Sequence, residues 1–236
     1  MIVLAIDTSH RVGSAAVSAG GSAASAERFG EGSSHLLEIG RCIDRLLGRL
    51  GLMPRDVHRL ALVRGPGSFT GLRIGMAYAK GLCAGLGAEM VVMSSLELLA
   101  LPLLRSGDTV CVMVDARKGE VYGAVYEPGR PSAAFPGRAL IDPRVCSPES
   151  IVEEARRYSP TYVGTGALHY RSTVESSHPG CRIGGQEVAF PSAALLAQIA
   201  PGLDPLSDEA LASLEPLYLR PSDAVFKPLK PIDPHG

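Results

Sequence analysis

Gly65-Pro66-Gly67-Ser68-Phe69-Thr70-Gly71 is the stretch of this sequence best equipped for chemistry. Gly65, Gly67 and Gly71 let the backbone approach a ligand, and Ser68 and Thr70 add hydroxyls where a helix should open. Backbone N–H groups at the positive end of a helix attract a phosphate or a carboxylate. No Lys-Ser or Lys-Thr follows the last glycine, so this is not a Walker A loop. A tight, capped strand-to-helix turn would use the same residues. Two acids stand at the ends of apolar runs: Asp7, followed by Thr8, and Asp115. Each suits Mg²⁺ coordination or the orientation of a nucleophile, and each equally suits an Asx turn that simply ends a strand. Further on, Gly164-Thr165-Gly166 echoes the first glycine loop, so Gly164 and Gly166 join the candidate anion or nucleotide loops. The six histidines include no HxxxH or HExxH pair that would set two imidazoles on one helical face. No GxSxG nucleophile elbow occurs either. The residues outline a cleft without a recognisable chemical engine.

The elements that must position these residues follow from periodicity. Ile2–Asp7 reads as a buried strand, Gly13–Ala19 as a small-residue strand and 22–27 as a third. Ser33 or Ser34 caps a helix to about Leu50, with Leu36, Ile39, Ile43, Leu46, Leu47 and Leu50 at helical spacing. Val57–Val63 forms a strand into the glycine loop, and a helix covers Leu72 to Leu86. Gly75, Gly81 and Gly85 lie inside that helix, where each costs about 1 kcal/mol against alanine; several of them imply close packing on another backbone. Met90–Met93 is a strand, and Ser94-Ser95-Leu96-Glu97 is a capping box opening a helix to about Leu104.

The pattern then begins again. Thr109–Asp115 ends in an acid as Ile2–Asp7 does, Ala116–Gly119 turns, and Glu120–Tyr126 returns as a strand. Thr161–Val163 enters Gly164 as the earlier strand enters Gly65. This predicts an imperfect internal duplication: two βββα-type lobes, each giving a strand–turn–strand tip and a glycine loop to a shared cleft. The Pro-, Gly- and Arg-rich 127–147 stretch reads as a loop excursion, Ser147-Pro148-Glu149 as a helix start, and Ser192 as the cap of a helix to Ile199. The boundaries read as 1–105 for the first lobe, 106–220 for the second and 221–236 for a Pro-rich tail that frays.

Composition narrows the class. The chain has 236 residues, 46% of them hydrophobic and 20% charged, which is ordinary globular make-up. A formal net charge of −1 does not suit a stand-alone nucleic-acid binder, which is usually basic. Five scattered cysteines without a CxxC read as free thiols in a reducing compartment. The six apolar residues before Asp7 are too few for a signal peptide. Arg73, Lys80 and Glu89 interrupt the longest apolar region, so a soluble, cytoplasmic protein with no membrane partner is expected.

At the level of motifs the chain resembles the TsaB (YeaZ) family. The matching blocks run in order from IVLAIDTS (2–9) through GPGSFTGLRIG (65–75), AKGL (79–82), SSLELLA (94–100), DARKGEVY (115–122) and GTGA (164–167) to PLYLR (216–220). The resemblance implies an α/β actin-like, sugar-kinase/Hsp70 (ASKHA) fold of two duplicated ribonuclease-H-like lobes. It also implies a role in making threonylcarbamoyladenosine in tRNA, next to the anticodon. In that family a TsaD-type paralogue carries the metal and transfers the threonylcarbamoyl group. The TsaB type lacks the metal-binding histidines and serves as its partner, and a TsaE-type ATPase joins them. The expected chain is thus non-catalytic, without a metal or cofactor of its own, meeting tRNA only within the complex. A nucleotide at the subunit junction is left open. The alternative is an autonomous small-molecule kinase or phosphotransferase of the same fold, with Asp7 and Asp115 as its acids.

Two departures from the family pattern fall on the first long helix: Ser33-Ser34-His35 stands where many members have His-Ser, and Glu38 where a proline is common. Partner binding is expected on the first-lobe helices, with candidates Leu36, Ile39, Ile43, Leu72, Gly75, Met76, Ala79, Leu82 and Cys83. The second helix is apolar or small nearly all round, and one sheet covers only one face of a helix. The family's helical bundle, met by a TsaD-type chain or by a second copy in a homodimer, points the same way.

Overall fold

The computed structural model describes residues 1–20, 22–30, 35–129 and 135–220. The first sheet is built from β1 (Ile2–Asp7), β2 (Gly13–Ala19), β3 (Ser22–Phe29), β4 (Arg59–Val63) and β5 (Glu89–Met93), with α1 (His35–Arg49) and α2 (Phe69–Leu86) between them and α3 (Ser95–Arg105) after them. Its spatial order is β3-β2-β1-β4-β5, antiparallel from β1 outward through β2 and β3, parallel from β1 through β4 and β5.

The second half repeats the plan. Strands β6 (Val110–Arg117), β7 (Glu120–Pro128), β8 (Gly137–Cys146), β9 (Thr161–Val163) and β10 (Arg182–Ile183) order as β10-β9-β6-β7-β8. Read from the other edge, this is the first sheet's order with the same senses. Helices α4 (Pro148–Ala155), α5 (Thr165–His169) and α6 (Arg171–Ser177) belong to this half; α7 (Ala193–Ile199) and α8 (Asp208–Ala212) close the chain. Two ribonuclease-H-like lobes in tandem make this an α/β fold of the actin-like ASKHA type.

The strand 137–146 corrects the expected loop excursion. As an edge strand, β8 tolerates Pro143 and the register shifts opposite Gly123 to Tyr126, because one side of its backbone needs no ladder partner. The predicted Ser33/Ser34 cap and the tail 221–236 lie outside the described residues.

Helices α1 and α2 cover one face of the first sheet: Ile39, Ile43, Leu46, Met76, Ala79 and Cys83 bury against Leu4, Ile6, Val17, Leu60 and Leu62. Helix α3 is sandwiched between the sheets. Leu98 and Leu101 pack on Ala5, Ala61 and Val91 of the first, while Leu96, Leu99 and Leu104 pack on Val110, Val112 and Ala124 of the second. Burial on two sides explains why, after the opening Ser95, only Glu97 and Arg105 break its apolar sequence. The assignment of 106–220 to the second lobe needs one amendment, because α7 crosses back. Ala193, Leu196 and Ala197 bury against Val3 and Ala16, and Ser18 Oγ donates to the Ala197 carbonyl at 2.8 Å. Arg59, paired with Glu89, holds the return by donating to the carbonyls of Ala200 and Leu203.

Candidate functional site

The two hairpin turns and the first glycine loop meet at a cleft of about 630 Å³. Ser9, His10, Arg11 and Gly67–Thr70 line it from the first lobe, and Asp115, Arg117 and Thr165 from the second. Leu217, Tyr218 and Arg220 of the C-terminal segment complete it. That segment is tied to both halves: Leu217 N donates to the Arg64 carbonyl at 2.7 Å, and Arg220 donates to the Ala116 carbonyl at 2.9 Å and pairs with Glu120.

The first glycine loop is fixed by the β1–β2 turn. Helix α2 starts three residues earlier than the periodicity suggests, with Ser68 as N-cap accepting from Gly71 N. Ser68 N donates to the Ser9 carbonyl at 2.7 Å. Two of the N–H groups an anion would use are therefore committed within the chain. Gly67 and Gly71 are required by contact, not by unusual backbone angles. A β-carbon would fall 2.2 Å from Ser9 O at Gly67 and 2.1 Å from Thr8 O at Gly71. At Gly75 it would fall 2.1 Å from Thr8 Oγ1. Gly65 differs, with φ +105°. The second lobe repeats the device: at Gly164 and Gly166 a β-carbon would fall 2.4 Å and 2.9 Å from the Met113 carbonyl.

Asp7 does not line the cleft. It is 2% exposed and accepts from Ser9 N at 2.8 Å through Oδ1. Burial pushes its pKa from 3.8 up to about 6, against the pull of the Ser9 hydroxyl and amide. Asp115 does line the cleft, and its Oδ1 accepts from Arg117 N at 2.9 Å. Both acids thus form the Asx turns that were the plainer of their two readings. Among the described residues no three His, Cys, Asp or Glu side chains cluster to share a metal ion, and no helix is long and apolar enough to cross a membrane.

Sequence reading missed Ser9, His10 and Arg11 as cleft residues. Ser9 Oγ lies 2.9 Å from His10 Nδ1, burial lowers the His10 pKa to about 4, and its Nε2 has no hydrogen-bond partner among the described residues. The adjacent Ser-His pair in a turn following Asp was the available signal. Arg117 was also missed; it sits at φ +61°, forced by a bulge at Ala116 just before the two-residue Lys118-Gly119 turn.

The expected partner surface is corrected by burial. Ile39, Ile43, Leu72, Gly75, Met76, Ala79 and Cys83 all lie in the lobe's own interior, Ala79 at 0% exposure, and Leu82 is half-buried. The periodicity identified the apolar stripe of α2, but that stripe faces its own sheet. The outward side carries Ala77, Gly81, Ala84 and Gly85, with open space around both glycines. On α1, Leu36 is 66% and Leu37 67% exposed.

A family model for TsaD, tRNA N6-adenosine threonylcarbamoyltransferase, matches residues 31–161. The tRNA threonylcarbamoyladenosine biosynthesis protein TsaB of Haemophilus influenzae is 32% identical over 228 residues, spanning 93% of this chain and 94% of its own. The protein of the same name from Escherichia coli is 32% identical over 191 residues, covering 79% of this chain and 80% of its own. Among solved structures, YeaZ from Pseudomonas aeruginosa superposes with a TM-score of 0.73 at 26% identity, over 92% of this chain and 99% of that one. With matching sequence along nearly the whole length and the same two-lobe architecture, this chain belongs to the TsaB (YeaZ) family.

Proposed function

We propose that this chain is the non-catalytic partner subunit of a TsaD-type threonylcarbamoyltransferase, needed for threonylcarbamoyladenosine formation in tRNA. The observation that carries the reading is full-length kinship to proteins named for that biosynthesis. The cleft supports it. Of the two candidate acids only Asp115 lines the cleft, with its Oδ1 taken by the Arg117 amide, while Asp7 accepts the Ser9 amide from behind the cleft wall.

The partner docks on the outward faces of α1 and α2. Leu36 and Leu37 supply exposed apolar area, and the Ala77, Gly81, Ala84 and Gly85 side of α2 lets another helix come close. Such an uncovered apolar and small-residue face marks an association surface. A second copy takes the same face when the chain is alone, a TsaE-type ATPase joins the complex, and tRNA is met within it.

Two assays test this. Purified chain alone should neither modify tRNA nor turn over ATP, whereas adding it to a TsaD-type enzyme should raise threonylcarbamoylation; steady turnover by the isolated chain would reverse the assignment. Ala84→Arg should leave the monomer folded by circular dichroism and weaken assembly in sedimentation, because the interface would bury an unpaired cation. Unchanged assembly would remove α2 from the surface.

A further inference from the structure

We infer that His35 is a positioning residue that conveys partner docking on α1 to the wall of the cleft; the inference rests on the partner reading above. The Thr8–Val12 turn is wedged between the first turns of the two outward helices. On the α2 side the fit is backbone to backbone, through the Ser68 N–H on the Ser9 carbonyl and the missing β-carbons of Gly67 and Gly71.

On the α1 side the contact is an imidazole. His35 Nε2 lies 3.1 Å from the Arg11 carbonyl oxygen. A carbonyl only accepts, so Nε2 carries the hydrogen and donates. The ring stands edge-on to Phe29 with centroids 5.6 Å apart, and it fills the space over Gly30 where a β-carbon would come within 2.5 Å of it. One turn along, Glu38 accepts from Gly30 N at 3.0 Å. The first turn of α1 therefore grips both the hairpin turn and the end of β3.

The next two residues are Leu36 and Leu37, the most exposed large apolar side chains in the described chain. A partner seated on them bears on the same helical turn that holds Arg11. Because Ser9, His10 and Arg11 line the cleft, restraint of the Arg11 carbonyl is restraint of the cleft wall. Burial also lowers the His35 pKa, which favours the neutral ring with its single hydrogen on Nε2.

The test is hydrogen exchange of the 8–13 peptide, first in chain diluted until sedimentation shows a monomer and then mixed with a TsaD-type transferase, with sedimentation to confirm the complex. His35→Phe keeps a ring against Phe29 but cannot donate; His35→Gln keeps an N–H donor without the ring. In the wild type and in His35→Gln, complex formation should slow exchange of the turn by about tenfold. In His35→Phe the complex should form with the turn unprotected. Should His35→Phe not fold, His35→Met, of similar bulk and also without a donor, replaces it. Wild-type protection in the donor-less variant, or its loss in His35→Gln, overturns the inference. A wild-type complex whose turn gains no protection overturns it alone, whereas failure of the wild type to form any complex overturns the partner reading and this inference together.

Discussion

At the end of β1, Asp7 accepts the amide of Ser9; at the end of β6, Asp115 accepts the amide of Arg117, with the same two-residue reach. Around the two turns the same strand order recurs, and a glycine loop closes on backbone in each lobe. Their surroundings differ. The Asp7 turn is pinned between α1 and α2, and its Asp7, Thr8, Ser9 and His10 are all buried. The Asp115 turn is short and projects to the surface at Arg117, Lys118 and Gly119. Duplication has thus kept the backbone chemistry of the turn while changing its depth. Both copies reach the cleft, but the deep one is also wedged into the packing of the helices proposed to meet a partner, whereas the shallow one ends in solvent.

The sharpest way to break that contrast is to force the deep turn apart. Gly71→Val places a branched side chain where even a β-carbon meets Thr8 O at 2.1 Å, and the opposing atom is backbone that has nowhere to move. It should cost about 4 kcal/mol, a fall in Tm of roughly 10 °C by calorimetry. Gly166→Val, at 2.9 Å from the Met113 carbonyl, should cost less. Gly81→Ala, in open space on α2, should raise Tm slightly through helix propensity. Equal losses at Gly71 and Gly166 would show that the two turns are clamped alike.

Depth should also be visible in protons, where two buried groups oppose each other. Asp7 titrates at 3.8 when unfolded and about 6 when folded, so its buried charge destabilises the native state above pH 6. The cost is relieved as the native state takes up a proton, falling away from pH 6 to 3.8. His10 runs the other way, from 6.5 unfolded to about 4 folded. Between those values acid protonates the unfolded chain first and stability is lost. Each effect amounts to about 3 kcal/mol at 1.36 kcal/mol per pH unit, and in the wild type they largely cancel. Asp7→Asn should therefore exceed the wild type in stability at pH 8 by up to about 3 kcal/mol and lose that advantage by pH 4. His10→Phe should instead gain on the wild type as pH falls from 6.5 to 4. Denaturant melts of the three proteins across this range check both signs; parallel pH profiles would mean that neither group is as deep as its packing indicates.

How much of this was legible in the sequence depended on whether the signal was local. Ile2–Asp7, Gly13–Ala19 and Thr161–Val163 are read to the residue because an apolar or small-residue run bounded by turns has few other uses. The capping box at Ser94 and Glu97 forms as read, since both partners lie within four residues. β8 was illegible because its proline and glycine are those of a loop, and only its place at a sheet edge makes them tolerable. α5 and α6, at five and seven residues, are too short to show a period. The candidate site failed for a related reason. Leu72, Met76, Ala79 and Cys83 state that α2 has an apolar stripe but not which neighbour covers it. The depth of Asp7 is set by α2, whose glycines lie more than sixty residues away in sequence.

The smallest effect probes the shallow turn alone. Lys118 and Gly119 are the two central residues of a hairpin loop closed by the Arg117–Glu120 pair, with φ of +54° and +77°. Positive φ at both centres is the type I′ geometry, for which Asn-Gly is the favoured sequence and a β-carbon-bearing Lys is not. Lys118→Asn should therefore relieve local strain and stabilise the chain by about 0.5 kcal/mol, net of whatever contact the lysine makes. That is a rise in Tm of only one or two degrees. The cleft contacts of the deep turn should be untouched, so exchange of the 8–13 amides should match the wild type. If the same substitution also altered exchange there, the two turns would be coupled across the cleft, and burial depth would no longer separate their roles.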